Sequence, residues 1–455
     1  MPHSFPGPTI ASVRSALLRG DYSASELLRE VLGRISALQP HLNCFTTINE
    51  RCIEEASRID RSDVRPLAGI PMTVKDLILT RDMPTSAGSR VPHPFRDRLQ
   101  DARCVRLLRK AGALIVGKTS LHEFAFGVTN ENERFGPVHN PWNSKRMSGG
   151  SSGGSACALA ARLCWGSIGT DTRGSIRIPS ACCGVSGLKP TRGMVSTNGV
   201  IPLSPTLDHV GPMANSVADL EALFAVLAPA AARRHEVSRQ RRSGWRVLGV
   251  APYYFDRIEE DVAVAVRHAL RLFEDAGFPI VEVDLPELAE TLEASDVISR
   301  AEALAFHEQS LKDHGDDYDS QVRSRLLTGH DLSAVELVRA YQQRQRAMRS
   351  FQRLFRTVDC LVCPGLPVTA PPLGTKEFDF GTSTESLVHC FVRLMAPQNM
   401  AGVPSLTIPC GFSTKGLPIG LQLVSGPRRE AILFELGAFY QEHTNWHLHV
   451  PPIGE

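Results

Sequence analysis

Apolar positions from about residue 10 to residue 59 recur at helical spacing, most clearly over 24–38, where Ser23 followed by Glu26 has the pattern of a capping box. The chain opens helical. At 67–76 the pattern switches to a short apolar run, punctuated by Gly69 and Pro71 and closed by Lys75-Asp76, which predicts a buried strand with a lysine at its end. A helix over 101–111, a strand over 113–116, an Ala-rich helix over 155–163, a strand over 165–169 and a helix over 217–228 follow. Beyond these come a strand at 245–251, an amphipathic helix at 261–276, a strand at 280–283 and several helices up to residue 355. Two strands, 405–409 and 417–424, joined by a Gly-containing turn, precede a closing helix at 430–442. Helices and strands alternate, so the class is α/β. Only 231–244 loses its apolar periodicity while gathering basic charge, which predicts a surface linker.

Composition narrows the functions. The 455 residues are 42% hydrophobic and 22% charged, as in folded globular proteins. Fifty Lys and Arg against forty-eight Asp and Glu leave a formal charge of +2, far from the basic excess of a nucleic-acid binder. No window holds eighteen consecutive apolar residues, and residues 1–8 have neither the basic nor the apolar region of a signal peptide, so a cytoplasmic protein off the membrane is expected. Eleven cysteines, several beside apolar residues, fit buried thiols in a reducing compartment. The one CxxC, Cys360 to Cys363, sits in an apolar run ending at Pro364; it reads as a strand, and no metal site is expected.

The segment from Gly112 through Gly117-Lys118-Thr119 fits the P-loop pattern letter for letter. The residues between its glycines are themselves strand-forming, and β-branched side chains resist the turns of a phosphate cradle, so nucleotide binding there is not expected. Two Gly/Ser segments, 147–155 and 169–179, bracket one helix and one strand, where glycines let the backbone approach a ligand. A serine nucleophile needs a base. The Gly-x-Ser-x-Gly elbow fails around Ser175, where Arg173 and Arg177 replace the glycines, and His122, His139 and His209 read as structural. A lysine desolvated at a strand end loses its proton near neutral pH, which leaves Lys75 as the candidate.

The runs Gly149 to Ser155 and Gly169 to Pro179 resemble the signature of the amidase signature family. Gly69 to Asp76 resembles its lysine strand and Gly117 to Phe124 the segment that follows. Cys183 to Pro190 with Leu207 to Pro212 resemble the end of its core, and Gly416 to Gln422 with Trp446-His447 its C-terminal half. The resemblance implies one large α/β domain over 1–455, with a twisted mixed sheet covered by helices on both faces. Within it 1–66 are N-terminal helices, 67–228 the signature core, 229–244 the linker and 245–455 the half that shapes the substrate pocket. Ser151 and Ser175 stand at the separation of that family's two catalytic serines. The resemblance implies Ser175 as nucleophile, Ser151 as a bridging hydroxyl on a cis peptide bond, Lys75 as the neutral base, and no cofactor. The backbone N–H groups of Thr172, Arg173, Gly174 and Ser175 would stabilise the oxyanion.

One departure is visible: the family's Asp-Thr-Gly-Gly-Ser reads Asp-Thr-Arg-Gly-Ser here, with Arg173 for the first glycine. Its side chain is expected to point outward, leaving only its N–H at the site; the alternative is that it meets an anionic or polar substrate group. Arg177 is expected to serve in a structural ion pair. Phe126 and Thr129, with Phe124, are candidates either for the pocket lining or for core packing, and loops at 295–330 and 380–400 are expected to shape the acyl pocket. The implied function is hydrolysis of a small linear carboxamide or ureide, by a homodimer if family habit holds. The rival is the glutaminase component of the tRNA-dependent glutamine amidotransferase, its A subunit, which works with partners. Glu302, His307, Asp317-Tyr318 and Arg323 to Leu326 resemble free-standing amidases instead, and no Tyr-Asp-Gly-x-Arg-Tyr segment is present.

Overall fold

The computed structural model describes residues 7, 9–239, 246–381 and 383–453. Most of the N-terminal stretch 1–8 and residues 240–244 of the expected linker therefore lie outside the described residues. As far as it is described, that linker is helical, Pro229–Arg239. Pro229 suits a first helical turn, and Ala230, Ala231 and Ala232 supply strong helix propensity without an amphipathic pattern.

The Ser23 cap forms as the sequence indicates: its side chain accepts from the Glu26 N–H, and its own N–H donates to the Glu26 carboxylate at 2.7 Å. The helix runs over Ala24–Leu42, past its expected end, with Pro40 inside it. Cys360–Pro364 is a strand, and the closing helix spans Glu430–Glu442.

Eleven strands form one mixed sheet flanked by helices. Their order is Phe45–Ile48, Leu114–Thr119, Pro71–Lys75, Gly166–Asp171, His209–Ala214, Ser186–Lys189, Ser405–Phe412, Pro418–Ser425, Cys360–Pro364, Leu248–Val250 and Ile280–Glu282. The fold is a single α/β domain. Pro71–Lys75 is parallel to both its neighbours, with Met72 opposite Ile115 and Gly166. The C-terminal ends of these strands share one edge of the sheet, where crevices open in α/β folds. That edge holds Lys75 and the turn that follows Asp171.

These strands are buried along their whole length although Gly166–Asp171 is rich in small and polar residues. The polar groups are paired internally: the Thr73 hydroxyl donates to Ser167 Oγ at 2.8 Å. The apolar members, Met72, Val74 and Ile168, join the main core.

Candidate active site

Lys75 ends its strand fully buried, with Nζ 2.7 Å from Ser151 Oγ and 2.8 Å from Thr170 Oγ1. No carboxylate among the described residues pairs with it. Burial pushes its amine down to about 7, with Asp171 and Asp208 pulling weakly the other way.

The segment carrying Ser151 leads into the helix Gly153–Ala160, and the Gly150–Ser151 peptide bond is cis. Gly150 is pressed against the neighbouring loop; a Cβ there would stand 2.8 Å from the Asn130 nitrogen. Ser152 ties the two Gly/Ser segments together, its N–H donating to the Ser175 carbonyl at 3.1 Å and its hydroxyl to the Thr170 carbonyl at 3.2 Å. Lys75 thus meets Ser151, and the Ser175 backbone is tied to the residue that follows Ser151. The Ser175 hydroxyl carries no hydrogen bond among the described residues.

The turn between Gly166–Asp171 and the helix Arg177–Cys183 is built on Asp171. One carboxylate oxygen accepts the Gly174 N–H at 2.8 Å and the other the Ile176 N–H at 3.2 Å. Arg177, fully buried, grips the same carboxylate through Nε and Nη2 at 3.0 Å each, and also donates to Gln422 and the Met395 carbonyl. Burial alone would raise the Asp171 carboxyl, but the Arg177 guanidinium and its hydrogen bonds hold it well below the usual carboxylate range. Arg177 is the ion-pair residue the sequence indicates.

This arrangement corrects the expected set of oxyanion donors. The Gly174 N–H is committed to Asp171, so it is not free for a ligand. The amides of Thr172, Arg173 and Ser175 have no acceptor among the described residues. Gly174 is instead required for its conformation, at φ 122°, and a Cβ there would meet Ile178 and Met395 at 2.8 Å.

A small cleft opens beside Ser175, lined by Phe126, Thr172, Arg173, Ser299, Arg325 and Val392 among others. Contrary to expectation, Arg173 does not point outward. Its side chain is only 10% exposed, and its guanidinium bonds Asp296 and the Ser299 hydroxyl. Arg325 sits 4.4 Å above the Phe126 ring, with Nη2 3.1 Å from Asp296, and Arg300 meets the second Asp296 oxygen at 2.8 Å. Phe126 lines the cleft. Thr129 does not; its hydroxyl accepts from the Glu131 N–H and lies 3.4 Å from His122 Nδ1. Phe124 is core, packed on His307 and Tyr318. Both regions expected to shape the cleft contribute, but from helices rather than loops: Ser299 from Leu288–His314, Arg325 from Ser320–Leu327, Val392 from Leu387–Arg393.

The P-loop lookalike is the strand Leu114–Thr119. Lys118 is buried and spent on Asp76 at 3.0 Å, the Pro84 carbonyl and Thr85. His122, His139 and His209 make no hydrogen bond to Ser151 or Ser175 among the described residues. His209 Nδ1 bonds the Leu207 carbonyl and His139 Nδ1 the Ser144 carbonyl.

Sequence reasoning missed Thr170, Asp171, Asp296 and the placement of Arg325. An Asp shortly before a Gly is an Asx-turn signal that could have singled out Asp171. Nothing local marks Asp296 or Arg325, since tertiary packing brings their helices to Ser175.

The family model described as Amidase matches residues 26–434. The A subunit of Glutamyl-tRNA(Gln) amidotransferase from Chloroflexus aurantiacus is 37% identical, over 98% of this chain and 98% of its own length. A solved amidase superposes with a TM-score of 0.88 at 35% identity, covering 96% of this chain and 99% of that one. The corresponding amidotransferase chain of Thermotoga maritima superposes at 0.82 with 27% identity, covering all of both chains. With the match spanning the strand of Lys75 and both Gly/Ser segments, this chain belongs to the amidase signature family.

Proposed function

We propose that the chain cleaves a C–N amide bond through an acyl-enzyme on Ser175, with Lys75 as neutral base acting through Ser151. The observation that carries this reading is Lys75 itself, a buried amine that among the described residues faces two hydroxyls, with its pKa brought down to about 7. A neutral Nζ takes the Ser151 proton as Ser151 Oγ takes that of Ser175, whose oxygen attacks the carbonyl carbon. The Ser151 to Ser175 hydrogen bond is then made when substrate docks, as catalytic hydrogen bonds commonly are. The amides of Thr172, Arg173 and Ser175 receive the oxyanion. Collapse expels the amine with a proton from Ser151, and water hydrolyses the ester by the same relay.

In this reading the reacting groups come from 67–228, and Ser299, Arg325 and Val392 of 245–455 complete the cleft. We place the enzyme in the cytoplasm, in keeping with eleven free, buried thiols and with no helix among the described residues long and apolar enough to cross a membrane. The test is intact-mass spectrometry after fluorophosphonate treatment, wild type beside Ser175→Ala, with ammonia release from a panel of small amides. A single adduct on Ser175, absent in the variant, is expected. A folded protein that takes no adduct and releases no ammonia refutes the reading.

A second reading, the glutaminase component of a tRNA-dependent amidotransferase, draws more support from sequence relatives than does a free-standing amidase. Such components, 33–37% identical, match it over 97–98% of its length. The backbone does not separate the two, with solved peptide amidases at TM-scores of 0.83 and 0.82 beside 0.82 for the Thermotoga chain. In the first reading the chain works alone or as a homodimer on a small amide. In the second it needs companion proteins and prefers glutamine. Glutaminase activity that appears only when those companions are added would decide for the second.

A further inference from the structure

The loop that precedes Ser175 carries Arg173, and the fold surrounds that arginine with further positive charge. Arg173, Arg300 and Arg325 all converge on one carboxylate, Asp296. Three guanidiniums against one carboxylate leave two positive charges in excess. Their side chains are only 10%, 22% and 22% exposed, so water cannot hydrate them fully. Buried charge in excess is costly unless something anionic completes it. Arg173 Nε is buried with no acceptor among the described residues.

The placement is selective. Arg173 and Arg325 line the cleft that holds Ser175, whereas Asp296 and every other acidic residue are absent from its lining. Asp296 thus holds both guanidiniums while standing outside the cleft lining to which Arg173 and Arg325 themselves belong. Phe126, Leu203 and Val392 add apolar lining to the same cleft.

We propose that Arg173 and Arg325 form a carboxylate subsite, so that the substrate is a short-chain half-amide of a dicarboxylic acid. The guanidiniums take the distal carboxylate, the apolar walls take the methylene spacer, and the amide carbonyl lies at Ser175. Guanidinium is suited to this role because its planar donors match carboxylate geometry. Asp296 is the positioning residue that fixes both forks. The same geometry disfavours an α-amino acid amide: glutamine brings an ammonium group, and no lining residue is an anion to receive it.

The inference rests on the Ser175 reading, and the experiment separates the two. Wild-type kcat/KM is measured for succinamate and glutaramate against their neutral counterparts, butyramide and valeramide, and for glutamine. A charge-assisted hydrogen bond is worth a factor of about 10 to 150, so a preference of at least about tenfold for the half-amides is expected, with glutaramate preferred over glutamine. Arg325→Gln should cut the ratio of half-amide to neutral amide by at least about tenfold, mostly through KM, and Arg325→Lys should restore part of it. Succinate and glutarate titrated by calorimetry give a readout independent of turnover. They should bind wild type, more weakly at high salt, and Arg325→Gln at least about tenfold less tightly.

Butyramide turnover or a Ser175 adduct without preference for half-amides would overturn the subsite and leave the serine reading standing. So would preference for glutamine over glutaramate, or dicarboxylate binding unchanged in Arg325→Gln. No adduct and no turnover of any amide would sink the serine reading. Dicarboxylate binding would then still report on the subsite.

Discussion

Replacing Lys75 by Met separates the roles of charge and of proton transfer at the centre of this site. In the unfolded chain the amine titrates near its ordinary value of 10.5, and in the folded protein near 7, because burial penalises the ammonium form. Between those values the unfolded state binds one proton more than the native state, so stability rises with pH at about 1.36 kcal/mol per unit. The burden of burying this amine is thus fully present below pH 7 and relieved as pH climbs toward 10.5. At pH 7 it amounts to about 4 kcal/mol and at pH 9 to about 2 kcal/mol. Met carries no such burden, but it leaves Ser151 Oγ and Thr170 Oγ1 without their amine partner, at a cost of about 1–3 kcal/mol each. The absolute effect at pH 7 is therefore a small difference. The pH dependence is clean: the stability of Lys75→Met relative to wild type should fall by about 2 kcal/mol from pH 7 to pH 9.

The assay is denaturant unfolding of both proteins at matched pH from 6 to 9.5, beside the pH profile of wild-type kcat/KM. Only the neutral amine accepts a proton, so wild-type activity should rise about tenfold between pH 6 and pH 8, then level off. Lys75→Met should lose at least about 100-fold in kcat at every pH. Parallel stability curves for the two proteins across pH 7 to 9 would mean that folded Lys75 titrates near its ordinary value. Lys75 would then be charged at neutral pH and could not be the base, whatever the activity of the variant.

Three further outcomes follow from the same geometry. Ser175→Ala should abolish turnover and fluorophosphonate labelling while leaving circular dichroism unchanged, because the lost hydroxyl holds no partner among the described residues; an adduct that persists would assign the nucleophile elsewhere. Asp171→Asn strips the buried Arg177 of its counter-charge and should lower unfolding stability by about 3–5 kcal/mol, read as a shift in denaturant midpoint; a loss under about 1 kcal/mol would refute the role given to this pair. With Lys118 consumed by Asp76, millimolar ATP should leave the melting temperature of wild type unmoved, and a concentration-dependent rise would revive the P-loop reading.

The sequence is legible where local chemistry decides the outcome. Ser23 with Glu26 announces a helix start, and the run into Lys75 announces a strand end, because caps and apolar runs act within a few residues. The two Gly/Ser segments are legible in the sequence because runs of Gly and Ser inside a compact α/β unit mark close backbone approach, which the tight surroundings of Gly150 and Gly174 bear out. Pro229–Arg239 reads as a linker since its helix rests on alanine propensity rather than on an apolar stripe. Arg173 escapes a sequence reading for a different reason. Its environment is set by Asp296 and Ser299, which tertiary packing brings in from a helix more than a hundred residues further along the chain. The same holds for Gly174: its amide reads as free in the sequence and is taken by Asp171 three residues earlier.

Of the fully buried lysines Lys75, Lys118 and Lys189, the first two lie near the ends of adjacent strands, and their partners explain why only one of those two is suited to be a base. Lys118 Nζ faces the Asp76 carboxylate, the Pro84 carbonyl and the Thr85 hydroxyl. Two of these can only accept hydrogen bonds, one is a full negative charge, and an ammonium with three N–H donors satisfies all three. Deprotonation there would strand a carboxylate in the core. Lys75 Nζ faces Ser151 and Thr170, and a hydroxyl donates as readily as it accepts. The neutral amine can accept the Ser151 proton without leaving any neighbour unsatisfied, so both protonation states fit the same packing. A base must visit both states within one turnover, and of these two buried amines only Lys75 sits where that exchange requires no rearrangement.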